Sequence, residues 1–434
     1  MKILRVWIVL FGFTRADLPI HCLASQVIGD WELFRSPEPV TDPSECSKLS
    51  GNYIHETTVH LSGHNIPATG RLSSQIGLRY EAYSTGSKSS WGMISDEGLI
   101  FLPNTEDTSV FYGQFKYTRD ENSKVLPEMF TRPDGSTPGY VSICNEISRG
   151  WFLQNDGEQR KVFCFSARKV IPDPGLRGAA ISPHEFQTTL DDSFESREFG
   201  PEFAVEPIIP PKFYDVQEKG KDACGSCYVK TFAYAFERTL AHFFLKSSQR
   251  SGQPVPSFRL DTDAMLVSSY SSMGCNGGYY ESLTLDMTLT GIPLCGSDND
   301  GMECGSSRGL VYPKGFIQLQ TEAEVKTLLV TNGPVLVGVF MDRDAFNPLS
   351  SDTVYDIPKS TESHNPEWDY INHGIVITGW GTTIGGVDFW TTYNSWGFEA
   401  KIQRGPGHDW YLKYAVAVLP DLSRGALLEI FQPQ

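Results

Sequence analysis

The stretch that decides the fold is Asp222-Ala223-Cys224-Gly225-Ser226-Cys227-Tyr228, which runs directly into a helical pattern. Apolar residues then recur three or four positions apart, at Phe232, Phe236, Leu240 and Phe243. This spacing predicts a buried helix over Tyr228–Leu245. A thiol at a helix start lies near the positive end of the helix dipole and near free N–H groups, and both favour the nucleophilic thiolate. The sequence therefore predicts Cys227 as a nucleophile.

The alternative interpretation of Cys224 and Cys227 is structural, as a disulfide or as half of a zinc site. Zinc needs a second ligand pair at matching spacing, and the sequence offers none. A thioredoxin-like redox motif needs a βαβ context, which is also missing. Gly225 is expected to let the chain turn tightly before the helix. His242 lies on the same helix, about four turns from Cys227, which is too far for it to be the base.

Outside this stretch, the chain divides into segments that differ in composition and in the pattern of apolar residues. Residues 17–168 contain short alternating segments separated by turn residues, at Ile54–His60, Ser109–Tyr117 and Gly139–Ile143. They predict an all-β barrel or sandwich. Residues 169–212 are rich in proline and charge, and they predict a linker or processed segment.

The C-terminal part, residues 213–434, combines predicted helices with predicted strands. A second helix is expected over Glu322–Val330, stopped by Asn332-Gly333-Pro334. Apolar runs predict three strands, at Val335–Phe340, Gly374–Thr378 and Val387–Tyr393. Helices followed by strands indicate an α+β domain.

The net charge and the N-terminal residues restrict the kinds of protein that this chain could be. A net charge of −16 over 434 residues argues against binding nucleic acid. Lys2 and Arg5 precede a short apolar run that ends near the small residue Ala16, which predicts a signal peptide over residues 1–16. The alternative for this run is a buried N-terminal strand. No stretch of the sequence is apolar for long enough to predict a membrane span.

Nine cysteines are an odd number, which in a secreted chain predicts disulfides and one free thiol. Four cysteines lie early in the chain and five lie late. Four disulfides and one thiol use all nine if each group closes within its own domain. The early and late groups are Cys22, Cys46, Cys144 and Cys164, and Cys224, Cys227, Cys275, Cys295 and Cys304.

Three further motifs follow the cysteine motif in order: Cys275-Asn276-Gly277-Gly278, Asn372-His373-Gly374 and Asn394-Ser395-Trp396-Gly397. Together the four motifs resemble the papain family of cysteine peptidases. The resemblance implies a two-lobed catalytic domain, with a helical lobe and a β-barrel lobe. It implies Cys227 as nucleophile, His373 as base and Asn394 as the residue that orients it. Trp396 would shield that hydrogen bond, and Gly277 and Gly278 would bind substrate backbone. Alone, His373 would be an ordinary strand histidine.

The N-terminal part resembles the exclusion domain of the cathepsin C branch of that family. The matching segments begin at Asp17-Leu18-Pro19 and include Ile28-Gly29-Asp30-Trp31, Gly150-Trp151 and Cys164-Phe165. The resemblance implies a β-barrel that blocks the cleft beyond the second substrate residue. It also implies that the Asp17 carboxylate, at the mature N-terminus, binds the substrate α-amine. The alternative is that Asp17 is only a frayed terminus. Implied disulfides are Cys22–Cys144, Cys46–Cys164 and Cys224–Cys275, and the count then pairs Cys295 with Cys304.

Some positions depart from the family pattern. Lys221 stands where the family has the glutamine that donates to the oxyanion, and loss of such a donor costs about 3–4 kcal/mol in a comparable site. Gln217 is the alternative donor. Glu281 stands where the cathepsin C branch has a tyrosine near its chloride, which argues against chloride binding here. After Trp396, the segment Phe398–Lys401 lacks the usual Gly-Trp-Gly continuation.

Taken together, the sequence predicts a dipeptidyl peptidase of the secretory pathway, lysosome, vacuole, granule or extracellular space. Its substrates would be peptides and proteins with free N-termini, and the chemistry would need no metal or other cofactor. The resemblance alone implies a tetramer. One alternative is an endopeptidase of the same fold, and another is a pseudoenzyme that binds peptides or partners without cleaving them. A β-domain binding module would leave the motifs after residue 213 unexplained.

Overall fold

The computed structural model describes residues 22–42, 45–46, 53–65, 80–84, 87–94, 97–103, 109–120, 139–156, 159–170, 203–204, 224–248, 256, 258–269, 271–272, 274–296, 304, 307–341, 353–358, 371–395 and 399–431. The predicted signal peptide, Asp17, Gln217, Lys221 and Trp396 lie outside these residues.

The N-terminal part is a closed eight-stranded barrel whose neighbouring strands pair antiparallel, including β1 with β8. A short helix, α1 (Ala24–Val27), precedes the first strand. The expected β-rich fold of this part is confirmed. The strands run longer than the alternating segments suggested, and they are β1 (Gly29–Arg35), β2 (Ile54–Asn65), β3 (Tyr80–Ser84), β4 (Ser87–Ile94), β5 (Gly98–Leu102), β6 (Val110–Arg119), β7 (Tyr140–Asp156) and β8 (Gln159–Lys169).

The two faces of the barrel strands serve two different cores. Phe111 and Phe152 lie in the barrel interior, where their rings stack with centroids 3.9 Å apart. Their chain neighbours Tyr112 and Trp151 point to the other face, as strand alternation requires, and stack at 5.2 Å. These outward aromatics belong to a buried cluster that continues into the C-terminal part through Phe232. The barrel is therefore packed onto the C-terminal part through apolar side chains.

The C-terminal part is α+β, as predicted from its helix and strand patterns. Its helices are α2 (Cys227–Ser248), α3 (Thr262–Ser268), α4 (Tyr280–Thr290), α5 (Glu322–Thr331) and α6 (Ala426–Phe431). Its strands are β9 (Phe203–Ala204), β10 (Ile292–Cys295), β11 (Ser307–Val311), β12 (Pro313–Leu319), β13 (Val335–Val339), β14 (Val354–Tyr355), β15 (His373–Thr382), β16 (Asp388–Asn394), β17 (Glu399–Gln403) and β18 (Ala415–Pro420).

The β lobe is one eight-stranded sheet with β15 near its centre. The order of the described strands is β12, β18, β13, β15, β16, β17, β14, and the eighth strand, β9, lies off this path and pairs with β15. The expected linker also takes part, because β9 pairs with β15 through the register Gly379 to Ala204. A two-residue strand carries too little periodicity to be visible in a proline-rich sequence.

Helix α2 packs against the sheet and carries the start of the site. Phe232, Phe236 and Leu240 are buried as expected, whereas Phe243 is half-buried and Phe244 takes the buried position. Residue 244 lies four positions after Leu240 and therefore on the same face of the helix. Tyr234 of this helix stacks on Tyr393 of β16, with centroids 3.6 Å apart and planes 4° apart. This stacking fixes the end of β16, which carries Asn394, against α2.

Candidate active site

The start of α2 is held by a disulfide and a backbone hydrogen bond. Cys224 is bonded to Cys275, and the Gly225 N–H donates to the Cys275 carbonyl at 2.7 Å. The backbone of Gly225 thus joins the helix start to the loop that carries Gly277 and Gly278. The sequence predicted only a tight turn at Gly225 and not this contact. Cys227 is the first residue of α2 and is the free cysteine among the described residues. The residue as a whole is half-buried.

Two glycines shape the loop next to the thiol. Gly277 has φ +118°, a conformation that side-chain-bearing residues rarely adopt. A Cβ at Gly278 would lie 2.8 Å from Cε2 of Tyr228 and 2.7 Å from Cβ of Ser272. Only glycine fits at 278, because the loop passes close against Ser272 and Tyr228 there.

His373 and Asn394 project from the same face of the sheet. Asn394, the last residue of β16, pairs with Ile375 of β15, and Ile375 lies two residues after His373 on that strand. Opposed residues and residues two apart share a face, so Asn394 is a diagonal neighbour of His373, a spacing that long side chains can bridge. Both residues are buried.

The backbone just before His373 is fixed by the side chain of Asn372. Its Oδ1 accepts from the Met341 N–H at 2.8 Å, and its Nδ2 donates to the Met341 carbonyl at 3.1 Å. The Asn372 N–H also donates to the Val339 carbonyl at 3.1 Å. These bonds hold the beginning of β15 and limit where the imidazole of His373 can lie.

Cys227 and His373 line one pocket, which lies between the helical lobe and the sheet. Gly278 contributes to the helical side of the pocket and Tyr414 to the sheet side. The nucleophile and base expected from sequence are thus in one cavity, although they are separated by well over a hundred residues.

The charge state of Cys227 depends on its surroundings. Burial raises the pKa of the Cys227 thiol, while the N–H groups of Gly374, Tyr228 and Cys227 itself and the charge of Lys230 lower it. Burial is the largest of these effects, so the helix start does not by itself secure the thiolate that the sequence led us to expect. A cationic partner would favour it further, and His373 lines the same pocket.

Tyr280 and Thr231 belong to the site, and sequence reasoning missed both. The Tyr280 hydroxyl lies 2.8 Å from Oγ1 of Thr231, and that oxygen lies 2.6 Å from the Cys227 carbonyl, to which it donates. Tyr280 therefore donates to Thr231, because Thr231 has a single proton to give. The signal for Thr231 was available, since it lies four residues after Cys227 on a predicted helix.

We expect Gly374→Ala to lower kcat/KM about 100-fold, because small displacements near reacting groups have effects of that size. A Cβ at this position would collide with the Tyr280 hydroxyl and would lie 3.0 Å from Tyr280 Cζ. Relief of the collision would push β15 away from Tyr280 and the start of α4, just beside His373. Peptidase kinetics and circular dichroism would measure the effect.

The matched control is Tyr280→Phe, alone and combined with Gly374→Ala. Phenylalanine lacks the oxygen in the collision, so the double variant should recover part of the lost activity. Equal loss in the single and double variants would contradict the proposed collision.

The structure contains the four disulfides Cys22–Cys144, Cys46–Cys164, Cys224–Cys275 and Cys295–Cys304, the pairs that the resemblance and the cysteine count imply. In the part of the chain that is described, no helix has the length and hydropathy needed to cross a membrane. The same residues contain no cluster of three or more His, Cys, Asp or Glu suited to a metal ion.

Comparison with known relatives follows the division seen in the fold. Residues 17–169 match the cathepsin C exclusion domain, and residues 212–403 match the papain family cysteine proteases. Cathepsin S of Rattus norvegicus is 28% identical over 267 residues, which cover 59% of this chain and 71% of that protein. Dipeptidyl aminopeptidase 1 of Plasmodium falciparum is 25% identical over 305 residues, covering 49% of this chain and 43% of that protein.

Two further matches are a second cathepsin and a solved structure. Cathepsin L of Sarcophaga peregrina is 27% identical, and the match covers 44% of this chain and 56% of that protein. The chain thus spans less than two thirds of that relative. The proform of the ragweed pollen cysteine protease Amb a 11 is 20% identical with a TM-score of 0.37, covering 53% of this chain and 69% of that one. On the two domain matches, the chain belongs to the papain family of cysteine proteases and carries a cathepsin C exclusion domain ahead of its protease domain.

Proposed function

We propose that this protein is a cysteine-type dipeptidyl peptidase that releases dipeptides from free N-termini. The observation that carries the proposal is the free thiol of Cys227 sharing a pocket with His373, in a domain onto which an exclusion barrel is packed. The thiol supports acyl transfer, and the barrel supports restriction to the end of a chain.

In the proposed reaction, the Cys227 thiolate attacks the scissile carbonyl carbon and forms an S–C bond. The carbonyl oxygen gains the electron pair, and N–H groups at the start of α2 stabilise its charge. The His373 imidazolium then gives its proton to the departing amine as the C–N bond breaks. His373 next takes a proton from water, which attacks the thioester and releases the dipeptide with the thiolate restored.

Asn394 would orient the imidazole of His373 in this scheme. Its diagonal position on the same face of the sheet supports that role. Trp396 would shield the Asn394–His373 hydrogen bond, and Lys221 would be the side-chain donor to the oxyanion in place of glutamine. Both assignments stay predictions from the resemblance.

Restriction to dipeptides would come from the barrel together with Asp17. The outward barrel residues Tyr112 and Trp151 share a buried cluster with α2, and the Gln114 side-chain amide donates to the Ser271 carbonyl. These contacts support a barrel held firmly beside the cleft. An Asp17 carboxylate at the mature N-terminus would then bind the substrate α-amine through a charge-assisted hydrogen bond.

The test is the release of a fluorophore from a free-amine dipeptide substrate at mildly acidic pH, beside the N-acetylated form of the same substrate. Cleavage of the free-amine substrate alone, lost in Cys227→Ala, is the expected result. Cleavage of both forms would indicate an endopeptidase of the same fold. No cleavage of either form by the folded, processed protein would favour a pseudoenzyme, for which Lys221 would be the reason.

We propose that the chemistry needs no metal or organic cofactor, because a thiolate and an imidazole suffice for acyl transfer. Four disulfides fit an oxidising compartment, so we place the protein in the secretory pathway or lysosome. The tetramer implied by the resemblance stays a prediction, which sedimentation of the purified protein would test.

A further inference from the structure

Glu281 is among the residues that line the pocket holding Cys227 and His373. Glu281 is the second residue of α4 and is only 5% exposed. The side-chain amide of Gln318 donates to its Oε1 at 3.2 Å. Buried acids of this kind are rare in proteins because removing a charge from water is unfavourable. Its place in a substrate pocket therefore calls for a functional account.

The surroundings of Glu281 strengthen the attraction between its carboxylate and a cation that enters the pocket. Tyr279, Ile371 and Tyr414 also line the cavity, so much of its wall is aromatic or aliphatic. Electrostatic attraction is stronger beside such walls than in water, and aromatic faces attract cations as well. A basic side chain entering the pocket gains from both effects, whereas an apolar side chain gains from burial alone.

Burial raises the pKa of the Tyr280 hydroxyl, and the charges of Cys227 and Glu281 raise it further. Tyr280 is therefore within electrostatic range of both the nucleophile and the acid. Glu281 and Cys227 lie on the same side of the cleft, within one cavity. A side chain bound next to Glu281 belongs to a residue close to the scissile bond.

We propose that Glu281 is a specificity-determining residue whose carboxylate makes this pocket select a lysine or arginine side chain in the released dipeptide. The proposal rests on the proposed peptidase function. An extended substrate turns successive side chains to opposite sides, so only one of the two dipeptide positions can show the preference. The same carboxylate repels anions, which accords with the expectation that chloride does not bind here.

The test uses two pairs of dipeptide fluorophore substrates, with lysine or norleucine at the first position and with lysine or norleucine at the second. Wild-type protein should prefer lysine at one position. Glu281→Gln, which keeps an acceptor for Gln318, should lower the lysine-to-norleucine ratio of kcat/KM at that position about 10- to 100-fold. Glu281→Asp should keep most of the preference, and the exposed Glu429→Gln should leave the ratio unchanged. A ratio unaffected by Glu281→Gln would overturn the proposal.

The outcome can be separated from that of the proposed function. Cleavage of acetylated substrates by wild type would refute dipeptidyl restriction, yet the lysine-to-norleucine ratio would still test Glu281. Should no substrate be cleaved, calorimetry of the Cys227→Ala variant with lysine-containing and norleucine-containing peptides gives the same comparison without turnover. Equal affinities in that titration would overturn the role of Glu281, and circular dichroism would show that each variant is folded.

Discussion

Replacing His373 by alanine is expected to lower kcat about as much as replacing Cys227, by about 10⁴- to 10⁶-fold, and replacing both should lower it little further. The reason is that the two residues act as a unit. Without the imidazole, the thiolate loses its partner and the departing amine loses its proton donor. Without the thiol, the imidazole has nothing to activate. Single-turnover and steady-state kinetics on a free-amine dipeptide substrate would measure all three variants.

The pH dependence of thiol alkylation is a second measurement, and it reports the ionisation of Cys227 independently of turnover. Burial raises the pKa of Cys227, and the N–H groups around the sulfur offset only part of that rise. A protonated His373 favours the thiolate, so alkylation by iodoacetamide should stay fast at mildly acidic pH in wild type. In His373→Ala the pKa of the thiol should rise, and alkylation should become slow until the pH is higher. An identical alkylation profile in the two proteins would contradict the ion pair.

His242→Ala is the matched control for the loss of a histidine. His242 lies on α2 itself and is half-buried, yet it is not among the residues that line the pocket. Its removal should leave kcat and the alkylation profile close to those of wild type. Loss of activity in this variant equal to that in His373→Ala would show that the effect comes from folding and not from the base.

Features that depend on a short local stretch of sequence could be predicted best. The start of α2 was predicted at Tyr228, one residue after its observed start at Cys227, because the apolar spacing of the helix is regular and that of the motif before it is not. Strands β13, β15 and β16 were visible as short apolar runs, since buried central strands need apolar side chains on both faces. The pairing of Cys224 with Cys275 came from the family resemblance, and the cysteine count then left Cys295 to pair with Cys304.

Other parts of the site depend on contacts between distant segments and could not be predicted. Tyr280 follows a glycine pair whose motif was recognised, but its hydroxyl meets Thr231 only because α2 and α4 pack together. The role of Gly374 depends on the same contact. Glu281 was noted as a departure from the family pattern, and its burial in the pocket appears only in three dimensions.

The packing of the barrel against the C-terminal part could not be predicted from the sequence either. Alternation along a strand defines two faces, but it does not show which side chains cover each face. Tyr112 and Trp151 could have been taken for exposed aromatics on the outside of an isolated barrel. In the structure they join a cluster that reaches α2. Burial raises the pKa of the Tyr228 hydroxyl, and the charge of Glu97, in the barrel, adds to that rise. The barrel therefore comes close to the residue next to the nucleophile.

Replacing Trp151 by alanine is expected to lower the free energy of unfolding by about 3–5 kcal/mol and to weaken the restriction to free N-termini. Trp151 is 1% exposed and stacks on Tyr112 within the cluster that joins the barrel to α2. The cavity left by the indole would loosen that contact. N-acetylated substrates, which the wild type is expected to reject, should then be cleaved measurably, while cleavage of free-amine substrates falls only to the extent that folded protein is lost.

Phe152→Ala separates loosened docking from general instability. Phe152 is the chain neighbour of Trp151, is 5% exposed and stacks on Phe111 at 3.9 Å in the barrel interior. Its removal should cost a comparable 3–5 kcal/mol or so while leaving the outward face intact, so rejection of acetylated substrates should persist. If both variants cleaved acetylated substrates equally, restriction would follow from barrel stability alone. If neither did so while Trp151→Ala was destabilised as expected, the outward face would not be what holds the barrel over the cleft.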